Sequence, residues 1–261
     1  MKVRIAVVQP RIKAGDEASN LRNAKKVLLG IRGKADIVLF PEQFLTGPVG
    51  KKTGTLKSEK EYIDDLAPLA KAAKTDIAFG LIVNGNGTAL NRAYYIDRNG
   101  KVLGRYTKSN LWHSETDQVK KGKSINVFRT RFGMVSLVIC WDIMDDVLFR
   151  RIAKRKAEII LCPALWWKGS SSPGIKRDRE FSRKFVDAMC LSKAYGNNAV
   201  IAFSNAAGIL RFDGFSDASI GNSQVAVPFA GYVARINGSR QGVAIASVDM
   251  GILKEAAGYF G

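Results

Sequence analysis

The sequence predicts an α/β fold with helices packed outside two facing sheets. Three observations predict it: β-branched runs alternate with amphipathic segments at the start, a series of hairpin-type strands follows from Asp76, and helix and strand alternate again after Cys140. The chain has 261 residues and shows no linker, low-complexity tract or internal repeat, so one domain spanning residues 1–261 is expected.

The opening VRIAVVQ is β-branched and reads as a buried strand. Ala18 to Ile31 carries Leu21, Ala24, Val27, Leu28 and Ile31 at helical spacing. ADIVLF, Ala35 to Phe40, is a second buried strand that stops at Pro41-Glu42. Glu59 to Lys74 aligns Ile63, Leu66, Leu69, Ala70 and Ala73 on one face, and Pro68 is expected to bend that helix. DIAFGLIV, TALNRAYYID and KVLGRYTK read as antiparallel strands, with Asn99-Gly100 as the turn between the last two. Ile125 to Phe128 and Phe132 to Ile139 continue the sheet, the second running into Cys140-Trp141-Asp142. Asp145 is an N-cap for the helix VLFRRIAKRK. EIILCPA is a strand, Leu165 to Gly174 a loop rich in Trp, Gly and Ser, and Arg179 to Tyr195 a helix with Phe181, Phe185, Ala188, Met189 and Ser192 on one side. NAVIAFSN, SQVAVPF, YVARI and VAIASVD are closing strands, with a short helix after Met250.

Hydrophobic residues at 46% and charged residues at 25% exclude the disordered class. The first apolar stretch is too short for a signal-peptide core, and no run approaches the roughly 18 residues of a membrane span. A cytoplasmic protein without membrane contact is expected. Cys140, Cys162 and Cys190 are odd in number and lack metal-ligand spacing, so free thiols and no metal or cofactor are expected. The formal charge of +18, from 41 Lys and Arg against 23 Asp and Glu, invites a nucleic-acid partner. The basic residues are scattered, however, through Lys25-Lys26, Lys51-Lys52, Lys120 to Lys123, Arg150 to Lys156 and Lys176 to Lys184, and no helix-turn-helix, zinc-finger or RRM pattern accompanies them. A solvated basic surface is the preferred reading over nucleic-acid binding.

Three segments are unusual for a core. PEQF ends a strand with a carboxylate, YTKSNLWHSE ends another with a lysine, and ICWD ends a third with a thiol. Polar residues at strand ends are where α/β folds assemble sites. Glu42 in FPE, Lys108 in RYTK and Cys140 in VICWD resemble, in order and context, the Glu-Lys-Cys triad of the nitrilase or carbon–nitrogen hydrolase superfamily. The resemblance covers nearly the whole chain, including the strand ending in Gln9, the segment around Asn91, the Asp97 to Gly100 hairpin and SNAAG near Ser204.

That resemblance implies a four-layer αββα sandwich, Cys140 as nucleophile, Glu42 as proton carrier, Lys108 as electrostatic partner, and Glu115 as a second glutamate that positions the lysine and the substrate. It implies substrate contacts from Trp141, through its backbone N–H, and from Trp166 and Trp167. The activity implied is hydrolysis of a non-peptide C–N bond in a small amide or N-carbamoyl compound through a cysteine thioester, releasing ammonia or an amine. Nitrile hydrolysis by the same triad, and polyanion binding with a vestigial site, are the alternatives. A homodimer is implied as well. His113, the only histidine, sits inside a segment the triad already explains, so a Cys-His hydrolase is not favoured. The chain departs from the family pattern at ICWDIMDDVLFRR, where Asp145 and Asp146 stand in place of Pro-Glu; Asp142 after Trp141 favours the amide-hydrolysing branches over true nitrilases. No residue reads as a carboxylate clamp, although basic residues near the pocket would favour an acidic substrate.

Overall fold

A computed structural model describes residues 1–48 and 56–260. The Lys51-Lys52 pair lies outside them. In the first six-stranded sheet, β1 (Lys2–Gln9) pairs antiparallel with β14 (Gly242–Asp249) and parallel with β2 (Ile37–Leu39). β3 (Asp76–Asn84) extends the parallel group, and β4 (Ala89–Ile96) and β5 (Val102–Thr107) complete the sheet as an antiparallel pair. The second sheet repeats this plan. β7 (Gly133–Leu137), β8 (Ile159–Pro163) and β9 (Val200–Ser204) are parallel, flanked antiparallel by β6 (Val127–Thr130) on one side and by β12 (Gln224–Val227) and β13 (Gly231–Arg235) on the other.

Side-chain alternation sorts these strands into layers. In β1, Val3, Ile5 and Val7 join the apolar cluster between the sheets, while Ala6 and Val8 join the cluster under α1 (Glu17–Gly30) and α2 (Glu59–Ala73). β3 divides likewise: Ala78 faces the second sheet, and Ile77, Phe79, Leu81 and Val83 meet Leu28, Tyr62 and Leu66 of the two helices. On the far side, α3 (Asp146–Lys154) and α5 (Phe181–Asn197) cover the second sheet with Leu148, Phe149, Ile152, Val186, Cys190 and Ala194. Strands buried on both faces read as continuous apolar runs, which is why ADIVLF and EIILCPA lack an alternating pattern. The result is the expected αββα layering.

Local signals set the helix ends. The Asp16 side chain caps α1 by accepting from Ser19 N–H, Ser58 and Glu61 form a reciprocal capping box on α2, and Asp145 accepts from Leu148 N–H at the start of α3. α2 continues through Pro68 to a left-handed C-cap at Lys74. The stretch expected as a loop from Leu165 contains a 3-10 turn, Lys168–Ser171, and the short α4 (Ser172–Ile175). α6 (Ile252–Phe260) closes the chain. One element absent from the sequence reading is the hairpin of β10 (Ile209–Phe212) and β11 (Phe215–Ala218), which forms its own two-stranded sheet. Its signal was Asp213-Gly214, both at positive φ (45° and 79°), the residue pair that a tight two-residue hairpin turn requires. Four-residue strands offered too little periodicity to flag it. Among the described residues no helix is long and apolar enough to cross a membrane.

Candidate active site

Glu42 sits one turn beyond β2, in a backbone knot between β3 and β8. Its N–H donates to Ala164 C=O at 3.3 Å, Gln43 N–H donates to Gly80 C=O at 2.7 Å, and Gly80 N–H returns to Pro41 C=O at 3.3 Å. Gly80 lets the strands approach closely there: a Cβ on it would stand 3.0 Å from Glu42 Cα and 3.5 Å from Pro163 Cβ, so the Glu42 turn would have to give by a few tenths of an ångström. The carboxylate is 2% exposed. Its Oε1 accepts from Asn91 Nδ2 at 2.6 Å and from Lys108 Nζ at 3.0 Å, and its Oε2 accepts from Leu165 N–H at 2.9 Å.

Lys108 follows β5, which runs in the same direction as β2 because two antiparallel pairings separate β5 from β3. Its N–H donates to Asn91 C=O at 2.9 Å, and its C=O accepts from Gly122 N–H at 2.8 Å. The ammonium is 1% exposed and bridges two carboxylates, reaching Glu42 Oε1 at 3.0 Å and Glu115 Oε2 at 2.7 Å. Glu115 ends a single 3-10 turn, His113–Glu115. It also accepts from Trp112 N–H and Asn91 Nδ2, each at 2.8 Å. Asn91 therefore holds both carboxylates at once. The sequence reading quoted Asn91 as part of a resemblance without giving it a role.

Cys140, three residues past β7, opens a 3-10 turn, Cys140–Met144, with φ at 48°. A side chain with Cβ in that left-handed region costs roughly 1–3 kcal/mol, a cost that persists only where the surroundings fix it. Asp142 does the fixing. Fully buried, it accepts from Ile139 N–H at 2.8 Å, from Asn110 N–H at 2.7 Å and from Ser109 Oγ at 3.3 Å, while Asn110 Nδ2 donates to Trp141 C=O at 3.1 Å. These bonds lash the loop after Lys108 to the turn that carries Cys140.

Electrostatics follow from burial. Desolvation pushes Glu42 above the usual carboxylate range, with Lys108 pulling the other way and Glu115 adding to the rise. Burial alone would favour a neutral Lys108, but Glu42, Cys140 and Glu115 outweigh it and hold the ammonium well above its ordinary value. The Cys140 thiol is pushed far up by burial and by Glu42, opposed by Lys108 and by a backbone donor at Leu165. The resting cluster thus keeps one proton on sulfur and a full charge on lysine. Asp142 is raised to about 6, chiefly by burial and against the pull of Lys108.

A cavity of about 240 Å³ opens onto this cluster, lined by Glu42, Lys108, Glu115 and Cys140 together with Trp141, Trp166 and Trp167. Every residue expected at the site from sequence is thereby brought to one place. Trp112, Phe212 and Phe215 line it too and were not expected. Trp112 lay inside the quoted YTKSNLWHSE segment, and the two phenylalanines flank the Asp213-Gly214 turn. Cys162 and Cys190 are fully buried outside the cavity lining, and burial raises both thiols.

Comparison with known proteins adds three findings. A family model described as carbon–nitrogen hydrolase matches residues 4–257. A probable nitrilase of Schizosaccharomyces pombe is 27% identical over 176 residues, 64% of this chain and 65% of that protein, and an (R)-stereoselective amidase of a Pseudomonas species is 28% identical over 162 residues, 61% of this chain and 59% of that protein. The chain thus spans less than two thirds of the length of these curated relatives. The crystal structure of a carbon–nitrogen hydrolase superfamily protein from Xanthomonas campestris, with an arsenic adduct in its active site, superposes with a TM-score of 0.86 at 18% identity over 100% of this chain and 95% of that one, a likeness of fold.

Proposed function

Because the chain belongs to the carbon–nitrogen hydrolase family, we propose that it hydrolyses the C–N bond of an amide or N-carbamoyl compound through a thioester on Cys140. The observation that carries this reading is the buried Lys108 ammonium shared by Glu42 and Glu115 beside a thiol in one cavity. Such an arrangement is costly to bury, and it suits a reaction in which a proton and a negative charge move between fixed places.

In the forward half, Sγ of Cys140 attacks the carbonyl carbon while its proton passes to the Glu42 carboxylate. A high proton affinity at Glu42 narrows the gap to the thiol, so this transfer is less uphill than an ordinary carboxylate would make it. The carbonyl oxygen becomes an oxyanion. Lys108 has three N–H donors, of which two are spent on Glu42 and Glu115, and the third serves that oxygen with the Trp141 N–H. Glu42 then gives its proton to the nitrogen, the C–N bond breaks, and ammonia or an amine leaves an acyl thioester. In the second half, Glu42 takes a proton from water, the hydroxide adds to the thioester carbon, and the C–S bond breaks as Glu42 returns the proton to sulfur. The sum is amide plus water giving acid plus amine. A nitrile carbon can accept the same attack, and remains the alternative substrate.

Glu115 takes the role of positioning Lys108, and Trp141, Trp166 and Trp167 that of contacting substrate. We further read residues 1–261 as one catalytic domain, working in the cytoplasm as a homodimer; exposed Val147 on α3 and Phe181 on α5 offer the apolar surface for pairing, and light scattering on purified protein measures the mass. The deciding experiment is Cys140→Ala. Ammonia release from amides should stop, with intact-mass spectrometry showing an acyl adduct on the wild type and none on the variant. Turnover retained by a folded Cys140→Ala protein rejects the mechanism.

A further inference from the structure

All four tryptophans of the chain line the cavity. Trp112 and Trp141 meet edge to face at 4.5 Å, and Trp141 continues to Trp166 at 5.3 Å, so three indoles form one arc. Trp167 belongs to a second cluster, with Phe215 at 5.4 Å and Phe212 at 6.4 Å, carried by the β10–β11 hairpin and fastened by the Trp167–Ser219 bridge. A chain with so few tryptophans has spent every one of them on a single space.

The charged groups of that space are already matched. Among the described residues lining the cavity, Lys108 is the one cation, and it is committed to two carboxylates. The four carboxylate oxygens of Glu42 and Glu115 are likewise all engaged, by Asn91, Lys108, Leu165 N–H and Trp112 N–H. Among the described residues of the lining, no unpaired cation is left to clamp a substrate carboxylate, and no unpaired carboxylate is left for a substrate cation. The described lining thus favours an uncharged substrate over an acidic one.

We propose that the substrate carries an uncharged aromatic ring on its acyl side, making it an arylalkanoyl amide. This rests on the amide-hydrolysing reading above. The acyl group is the part that stays bonded to sulfur through both halves of the reaction, so walls that hold it act twice, whereas departing ammonia needs none. At about 240 Å³ the cavity falls below the roughly 300–1,000 Å³ of pockets for larger ligands, which sets the size at one ring on a short chain. Flat rings meet indole and phenyl walls edge-to-face or offset, as Trp112 and Trp141 already meet each other.

The test compares ammonia release from 3-phenylpropanamide, butanamide, succinamic acid and betaine amide. The expected result is a kcat/KM for 3-phenylpropanamide about 100-fold or more above each of the others, since even one added methylene in an apolar pocket is worth about 10–200-fold. Trp167→Ala and, independently, Phe215→Ala should each shrink the ratio of the aryl to the butyl substrate at least tenfold. Equal or faster turnover of butanamide, or preference for the anionic or quaternary amide, overturns the proposal while leaving the amidase reading intact. Binding separates the two readings when no amide turns over. In Cys140→Ala protein, tryptophan fluorescence should respond to 3-phenylpropanamide at concentrations at least tenfold below those needed for butanamide; that response without any wild-type turnover retains the aromatic site and rejects the amidase. Similar responses to both ligands overturn the aromatic site.

Discussion

Lys108 holds a positive charge in a place where 1% of its surface meets solvent, and the two glutamates at its end divide the cost. The division has a consequence for pH. On the proposed mechanism Glu42 must be ionised to receive the thiol proton, and burial sets its proton affinity above that of an ordinary carboxylate. Activity is therefore complete above the folded-state value and lost as pH falls through it. The acid limb of kcat/KM should lie above the usual carboxylate range near 4.3. A stopped-assay pH profile checks this, and an acid limb at or below the ordinary value contradicts the burial argument. Asp142 makes a second residue-scale prediction. Three donors converge on it in a site without solvent. Asp142→Ala leaves buried N–H groups unpaired, at roughly 1–3 kcal/mol each, so urea unfolding should show a loss of that order. The kcat should fall as well, because the loop of Lys108 and the turn of Cys140 lose their common anchor. Glu42, Lys108 and Cys140 stood out in the sequence because each follows an apolar strand with an incongruous reactive group in the order of a family triad, whereas Glu115, in a 3-10 turn, was suggested by the resemblance alone. The double role of Asn91 was not legible: an asparagine inside TALNRAYYID has no local mark that it will bind two distant carboxylates.

At the scale of elements, the site is a matter of strand ends and of how closely they approach. β3 passes so near the Glu42 turn that any side chain at position 80 would oblige the turn to give way. Gly80→Ala should move Glu42 by a few tenths of an ångström or more and lower kcat about tenfold or more, since a 1 Å displacement can cost about 100-fold. The melting temperature should change less than the activity does. Calorimetry beside steady-state kinetics separates the two, and a variant with full kcat would show that the turn has slack. The strands and long helices were readable to within a residue or two, because alternation and helical spacing persist over several turns or pairs. The β10–β11 hairpin escaped because four residues cannot display a period, and its fixed position depends on Trp167 meeting Phe212 and Phe215, a contact between segments far apart in sequence.

For the molecule as a whole, the sequence indicated helices outside two sheets, but periodicity alone did not give the strand order. That order follows from which apolar faces meet, a property of pairs of elements. The layout also bears on the surplus of 18 positive charges. Exposed Lys25 and Lys26 stand on α1, and exposed Arg150 and Arg151 on α3 with Lys184 on α5, so the charge is divided between the two outer layers instead of gathered on one face. That distribution suits a solvated shell better than a groove for a polyanion.

The cluster draws Glu42 and Lys108 from one sheet and Cys140 from the other, and the bonds from Asp142 cross between them. Neither sheet holds a working half. During refolding, strands within each sheet can pair while the sheets are still apart, so if the cluster is the active site as proposed, turnover begins only when the two have docked in register. Catalysis is thus a late clock for assembly. After dilution from denaturant, the far-ultraviolet circular dichroism signal should recover ahead of enzymatic activity, and coincident recovery of both would mean that the sheets form and dock in a single step.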